Sequence, residues 1–346
     1  MNENTCLHFV GSMPQFDDAR SALRWQLTTL AGSVRRLSGG ETGDRLLWFV
    51  PLVKDIKRLP QVRTIQNGDW TGYRDIDVLR VRRRARFTRQ DIPLRMAEFA
   101  REELGVLDSL DNPHGLPLQV GVPGYLDMAL YTFGPMGLLR YGRMFLGAVA
   151  GQIAELQAEA GDRIVFQLEV PAALIAVAAA PPPLRPAMAA LMAHLVTRQV
   201  ARAPEGSRFG VHLCLGDLGH QALLQLADTD PLVRLTNALV RHWPDGRSLE
   251  FVHLPMSGAD QPPVVSPDFF DPLRRLRVPP DVPVVAGIAH EDQGLDEQLT
   301  VRRLVETALG RRVDIATACG LGRRSPQAAR RAVDAMLALQ TAQAPR

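Results

Sequence analysis

The sequence predicts an α/β protein that forms a single (β/α)8 barrel, also called a TIM barrel, over residues 1–346. Short apolar runs alternate with amphipathic segments to the end of the chain, as they do in barrels of parallel strands and helices. The first run continues as GSMPQF rather than GxGxxG, which argues against a doubly wound dinucleotide fold. A length of 346 residues also suits one large α/β domain.

The candidate strands are short apolar runs that end in glycine, proline or a polar residue. They cover residues 7–13, 35–41, 118–124, 163–170, 209–215, 247–252, 282–289 and 313–319. Between them, apolar residues return every three or four positions, which predicts helices on the outside of the barrel. The clearest helical segments are 186–201, 231–242, 299–309 and 326–340, and residues 341–346 are expected to be a frayed tail.

A long stretch between the second and third strands interrupts this rhythm, and residues 56–95 are predicted to be an insertion. Within it, residues 75–87 alternate valine and arginine in a way that suits an exposed β-hairpin. A dense arginine cluster runs from Arg80 to Arg89. Two interpretations remain open: a solvated, charged sheet edge, or a lid or docking surface for an anionic substrate or partner.

The composition excludes several classes of protein. The chain has 40 basic and 37 acidic residues and a net charge of +3, so nothing general points to a nucleic-acid partner or an acidic membrane. Three cysteines cannot build a disulfide framework, and they suit a reducing compartment. The sequence shows no signal-peptide pattern and no apolar stretch of membrane-spanning length, so we expect a cytoplasmic protein.

The most informative pattern is the pair His212 and Cys214 in a candidate strand. Side chains two residues apart in a strand point to the same side, so this imidazole and thiol face one point. Cys319 ends the last candidate strand, and the carboxyl ends of barrel strands meet at one mouth. Zinc favours such a mixture of sulfur and nitrogen ligands, whereas Cys6 has no such context and is interpreted as incidental.

The strand between these residues offers two candidates for a fourth ligand, Glu250 and His253. Glu250 lies in an otherwise apolar strand, where an unpaired carboxylate is costly and a metal would neutralise it. An ion pair with one of the many arginines is the alternative explanation for this carboxylate. From the residues alone, the choice between Glu250 and His253 stays open.

The ordered segments HLC, LEF and ACGLGRR resemble the C-terminal catalytic barrel of cobalamin-independent methionine synthase and its shorter relatives. Further segments match the family in the same order. FVGSMPQF is similar to the first-strand Gly-Ser-Phe-Pro-Gln of the family, GGETGDRLLWF to its Gly-Glu-Pro-x-Arg turn, and FQLEVPAAL to its Gln-x-Asp-Glu-Pro strand. The resemblance extends over most of the chain, from about residue 11 to residue 332.

The resemblance implies a Zn²⁺ cofactor and transfer of a methyl or similar alkyl group to or from a zinc-activated thiol such as homocysteine. It implies four zinc ligands, His212, Cys214, Glu250 and Cys319, and three residues that bind homocysteine, Ser12, Glu41 and Glu169. The chain has room for one barrel only, so recognition of a folate donor by an N-terminal half is not expected. A corrinoid protein that donates the methyl group is then a possible partner.

The sequence also departs from the family pattern. Glu169-Val170 replaces the Asp-Glu before proline, and residues 316–318 read Ala-Thr-Ala where the family has Asn-Pro-Asp. His253 and His290 lie at strand ends as additional polar groups and are candidate catalytic residues. The alternative for each is a histidine that supports a ligand or is simply exposed.

Two other functions are compatible with parts of the sequence. A metal-free decarboxylase that resembles uroporphyrinogen decarboxylase would use the arginine cluster to hold substrate carboxylates, but it has no use for the His-x-Cys pair. A non-enzymatic zinc-binding protein would hold zinc in a closed site that does not respond to thiols. A zinc assay distinguishes the decarboxylase from a zinc-dependent transferase. The response of the zinc site to added thiol distinguishes the non-enzymatic protein from that transferase.

Overall fold

The computed structural model describes residues 5–30, 32–47 and 49–342. Seven strands form a curled, entirely parallel sheet in which neighbours in sequence are neighbours in space. These strands are β1 (Leu37–Ser38), β4 (Leu118–Pro123), β5 (Ile164–Glu169), β6 (Arg208–His212), β7 (Ser248–Pro255), β8 (Val284–Ala289) and β9 (Asp314–Thr317). A separate antiparallel pair consists of β2 (Val62–Gln66) and β3 (Val78–Val81).

The helices connect these strands. They are α1 (Ala19–Thr29), α2 (Phe49–Lys57), α3 (Met96–Asp108), α4 (Tyr125–Ala160), α5 (Pro171–Ala179), α6 (Arg185–Val200), α7 (Asp230–Arg241), α8 (Pro267–Phe270), α9 (Leu295–Leu309) and α10 (Pro326–Thr341). Among the described residues, side-chain caps begin α1 and α10, since Asp18 accepts from the Ser21 N–H and Ser325 accepts from the Ala328 N–H. None of the described helices combines the length and apolar content that crossing a membrane requires.

The strands of the parallel sheet are buried on both faces over most of their length, as parallel strands usually are. Their outward side chains join the large core beneath the helices, whereas Val165, Phe251, Val285 and Ala316 form a small cluster inside the curled sheet. The Phe251 ring lies within 1.8 Å of the point where a Cβ at Gly210 would be, so any side chain at Gly210 would displace this ring.

The predicted first strand, 7–13, is reduced to a bridge among the described residues. Leu7 pairs with Val34 on one side and with Ile315 on the other, so this segment contacts both edges of the sheet. The Phe9 and Val10 carbonyls accept hydrogen bonds from the side-chain amide of Gln119 instead of from a strand ladder. The observed architecture is therefore a curled seven-stranded sheet with a bridging segment.

The insertion differs from the predicted hairpin. Only Val78–Val81 of residues 75–87 forms a strand, and its partner is the upstream segment Val62–Gln66. The anchor is Asp77, whose buried carboxylate accepts from Lys57 Nζ at 2.7 Å and from Trp70 Nε1 at 3.0 Å. The insertion is thus held together by a buried carboxylate on one side and exposes its arginines on the other.

The predicted frayed tail falls partly outside the described residues. Residues 343–346 are not described, and Thr341 still belongs to α10.

Candidate metal centre and substrate cavity

Three predicted metal ligands come together at the carboxyl ends of β6 and β9. The Sγ atoms of Cys214 and Cys319 are 3.6 Å apart, and Cys319 Sγ is 3.9 Å from His212 Nε2. All three ligand atoms lie within 4.8 Å of one another. A tetrahedral zinc ion would separate two sulfurs by about 3.8 Å and a sulfur from a nitrogen by about 3.6 Å, so this set fits zinc.

His253 stands beside this cluster and determines how His212 is oriented. The two histidines are opposite each other in the register of β6 and β7, and their Nδ1 atoms are 2.8 Å apart. His253 Nε2 lies 3.0 Å from the Thr317 carbonyl, which can only accept, so His253 donates there and its Nδ1 accepts from His212. The lone pair of His212 Nε2 then faces the two thiols.

Both imidazoles are neutral in this arrangement. Burial lowers the pKa of His253 to about 4, and burial together with His253 lowers the pKa of His212 well below its ordinary value. Neutral imidazole is the form that binds metals. The hydrogen-bond chain therefore prepares His212 as a ligand.

Glu250 does not lie in the cluster, so its assignment as a zinc ligand stays a prediction for which the described residues offer no contact. Both of its carboxylate oxygens accept from Arg208, at 3.0 Å and 2.9 Å. The register of β6 and β7 shifts between Phe209 and Gly210, and His253 rather than Glu250 stands opposite His212. The ion pair that the sequence left open as an alternative is the observed arrangement.

The surroundings of Cys319 favour the protonated form of its thiol. The contact with Cys214, together with burial, raises the pKa of the Cys319 thiol well above its ordinary value. The Gly216 N–H donates to Cys214 Sγ at 3.2 Å. A metal ion bound here would release thiol protons, because cysteine binds metals as the thiolate.

The cluster opens into a cavity that also contains the predicted substrate residues Ser12, Glu41 and Glu169. A Cβ built on Gly121 would lie 3.0 Å from Glu41 Oε1 and 3.1 Å from Glu169 Oε1. The two carboxylates therefore converge over a position where only glycine leaves space. Paired carboxylates of this kind suit an ammonium group.

Glu41 is held in a strained and desolvated position. Its φ angle is +41°, in the left-handed region that residues other than glycine rarely adopt. Burial raises the pKa of Glu41 to about 7, against the opposing effect of Arg45 and a hydrogen bond with Ser12. Backbone strain and a perturbed pKa at one residue in a cavity are typical of functional sites.

His290 is not among the described residues that line this cavity. It follows β8, is buried, and accepts at Nδ1 from the Asp292 N–H at 3.2 Å. His253 is also absent from the described lining and contacts the cluster through His212. A catalytic role for either histidine stays a prediction.

Sequence reasoning missed several residues that line the cavity. They are Tyr73, Asp127, Tyr131, Asp217 and Arg323. The Tyr73 hydroxyl accepts from the Leu218 N–H at 3.3 Å, and it would lie 2.0 Å from a Cβ at Gly216. The insertion thus contributes directly to the site, and the glycine that follows the His-x-Cys pair was the available signal.

No protein-family model and no curated protein sequence matches the chain. Among solved structures, it is similar to a B12-independent methionine synthase from Shewanella sp. W3-18-1 in complex with selenomethionine, with 16% identity and a TM-score of 0.60 over 97% of both chains. A methyltransferase from Methanosarcina mazei is similar with 11% identity and a TM-score of 0.50, over 98% of this chain and 94% of that chain. The chain shares the fold of these proteins.

Proposed function

We propose that this protein is a zinc-dependent transferase that moves a methyl or similar alkyl group to a small thiol such as homocysteine. The observation that carries the proposal is the cluster of His212, Cys214 and Cys319, which opens into a cavity with two convergent carboxylates. The likeness in fold to a B12-independent methionine synthase supports it. We also propose that the bridging segment around Leu7 completes an eight-stranded barrel.

The proposed roles of the residues follow from their positions. His212, Cys214 and Cys319 hold the ion and leave a fourth position to the substrate sulfur. A zinc ion bound there would lower the pKa of the substrate thiol and so supply a thiolate at neutral pH. His253 keeps the His212 lone pair directed at the site, and Glu41 and Glu169 bind the amino group of the substrate.

The proposed transfer needs no reactant other than the thiol and the methyl donor. The substrate sulfur forms a bond to the methyl carbon while the bond between that carbon and the donor breaks, and both electrons of the broken bond stay with the donor. The thiol proton leaves to solvent. In this arrangement the protein contributes orientation and electrostatics rather than a covalent bond of its own.

The test of this function is a metal analysis combined with a transfer assay. Protein purified without chelators is expected to contain stoichiometric zinc and to convert homocysteine to methionine with methylcobalamin or a methylated corrinoid protein as donor. Protein that contains no zinc would contradict the proposal. Zinc without any transfer to thiols would favour the non-enzymatic alternative.

The raised pKa of Glu41 predicts that ligand binding depends on pH. We expect methionine, whose thioether does not titrate, to bind about tenfold more weakly at pH 6 than at pH 8, because protonated Glu41 no longer attracts the ammonium group. Glu41→Gln should bind weakly with little dependence on pH, as isothermal titration calorimetry would measure. Burial also raises the pKa of Asp127 in the same cavity to about 7. An unchanged pH dependence of binding in Glu41→Gln would therefore show that Asp127, and not Glu41, is the group whose titration controls binding.

The exposed arginines of the insertion predict a contact with an acidic donor protein. Arg63 and Arg80 are directly opposite each other in β2 and β3, an unfavourable like-charge pair, and Arg82, Arg83 and Arg84 follow in the exposed turn. We propose that this arginine surface binds a corrinoid protein that carries the methyl group. Replacement of Arg82, Arg83 and Arg84 by glutamine should slow transfer from that donor about tenfold at low salt.

The same triple variant should use free methylcobalamin at the wild-type rate, because the small donor does not need the surface. A matched triple variant at the exposed Arg303, Arg330 and Arg331 of α9 and α10 should behave as wild type with both donors. Equal slowing with both donors would instead indicate that the insertion supports the cavity through Tyr73.

A further inference from the structure

The loop that follows Cys214 carries a carboxylate and an imidazole that the proposed transfer does not use. Asp217 lines the cavity beside the metal cluster, and its side chain is 8% exposed. It does not belong to the group of candidate ligand atoms within 4.8 Å of one another. Its Oδ1 atom forms a hydrogen bond of 3.3 Å with Nδ1 of His220, whose side chain is 31% exposed. The pair therefore extends from the cavity to a solvent-exposed imidazole.

The insertion holds this loop in an unusual backbone conformation. His220 has a φ angle of +55°, in the left-handed region that residues other than glycine rarely adopt. Gly216 and Gly219 have φ angles of +82° and +66°. A Cβ on Gly219 would lie 2.3 Å from the Thr71 carbonyl oxygen, so the loop packs directly on the insertion. Backbone strain that the surrounding structure maintains is typical of functional positions, and here it fixes Asp217 beside His220.

The charge of Asp217 acts on the metal cluster. After the contact with the other thiol of the cluster and burial, this charge is among the effects that raise the pKa of Cys319. Burial raises the pKa of Asp217 itself, and three neighbouring groups oppose this effect only in part: His220, Arg324 and Arg323. A carboxylate with a raised pKa accepts a proton from a thiol more readily than an ordinary aspartate does.

His220 faces a second carboxylate on its other side. Its Nε2 atom lies 4.0 Å from Oε1 of Glu291, which also accepts from Arg324 Nε at 2.6 Å. His220 therefore stands between Asp217, on the cavity side, and a buried ion pair. An imidazole accepts a proton at one nitrogen and releases one from the other, which suits it to carry protons between a buried carboxylate and water.

We propose that Asp217 accepts the proton of the substrate thiol and that His220 passes it to the solvent. This inference rests on the proposed function and adds two residues to it. The bond between sulfur and hydrogen breaks, its electron pair stays on sulfur, and the proton moves to the Asp217 carboxylate. The proton then moves to Nδ1 of His220, and the imidazolium returns a proton to water, which restores the charge of both groups. The pair thus sets the rate of thiolate formation and leaves the number of protons released unchanged.

Stopped-flow measurement with a pH indicator, in weakly buffered solution, tests the proposal on the zinc-loaded protein mixed with homocysteine. Asp217→Asn should slow proton release about 100-fold and His220→Gln about tenfold, with the number of protons per chain unchanged. Added imidazole should restore His220→Gln to within about threefold of wild type, because a small base can replace an exposed side chain. It should not restore Asp217→Asn. The control His242→Gln, at the exposed end of α7, should release protons at the wild-type rate.

The outcomes separate this inference from the proposed function. A wild-type release rate in Asp217→Asn or in His220→Gln would overturn the inference alone, and so would a slow His220→Gln that imidazole does not restore. Failure of the zinc-loaded wild type to bind homocysteine and release a proton would overturn the proposed function together with the inference. Zinc content and circular dichroism of each variant, with and without imidazole, establish that it is loaded and folded.

Discussion

The Cys319→Ser protein is expected to be purified without stoichiometric zinc and to lose methyl transfer by more than about 100-fold. The substitution removes one of the three candidate ligands that meet at the ends of β6 and β9. A serine hydroxyl does not ionise at neutral pH and is a poor replacement for the thiolate that zinc prefers. Elemental analysis of zinc per chain and the transfer assay with homocysteine measure the two effects.

Cys6→Ser is the matched control for this experiment. Cys6 is also a buried thiol, but it lies next to Asp314 at the opposite end of β9 and does not belong to the cluster. Its replacement should leave zinc content and transfer rate within about twofold of wild type, as expected for a change outside the site. If Cys319→Ser retained both zinc and activity, the proposed metal centre and the proposed function would be wrong.

The second large effect is expected at His253, which does not contact the cavity. His253→Phe removes the acceptor for the His212 Nδ1–H and the donor to the Thr317 carbonyl. A buried N–H without an acceptor costs about 1–3 kcal/mol, and His212 loses the hydrogen bond that selects its tautomer. Zinc affinity should fall about 10- to 100-fold, as measured by competition with a chelator.

Glu250→Gln is the companion variant that separates the two residues between which the sequence could not decide. Its carboxylate is paired with Arg208, so loss of its charge should lower the free energy of unfolding by about 1 kcal/mol and leave zinc affinity unchanged. Loss of zinc in Glu250→Gln, with normal zinc in His253→Phe, would reverse the two assignments. A chemical-denaturation curve and the chelator competition provide both measurements.

The cluster itself could be predicted from the sequence because two of its candidate ligands obey a local rule. His212 and Cys214 are two residues apart at a strand end, and this spacing places both side chains on one side. Cys319 was added by the expectation that the ends of parallel strands meet at one mouth. Neither argument needs knowledge of side-chain contacts between distant segments.

The choice between Glu250 and His253 could not be made from residue spacing within one strand. It depends on the register between β6 and β7, which shifts between Phe209 and Gly210. A single residue of shift moves a side chain to the other face of a strand, and no pattern within one strand reveals it. The partner of Glu250, Arg208, lies on the neighbouring strand and is brought to it only by that pairing.

The residues that line the cavity also could not be predicted from local sequence patterns. Tyr73 reaches the site from the insertion, and Arg323 reaches it from the loop after β9. Glu41 and Glu169 come together over Gly121, although the three residues belong to different segments of the chain. Such convergence exists only in the packed sheet, and the sequence predicted part of it only through its resemblance to a family.

The sequence by itself determined the alternation of strands and helices, because the periodicity of apolar residues indicates which face of each element is buried. It also determined that a His-x-Cys pair lies at a strand end. The tertiary structure decided that His253 supports His212, that Glu250 pairs with Arg208, and that the segment around Leu7 bridges the sheet edges. These outcomes depend on strand register and on hydrogen bonds between residues far apart in sequence, and both exist only after the chain has packed.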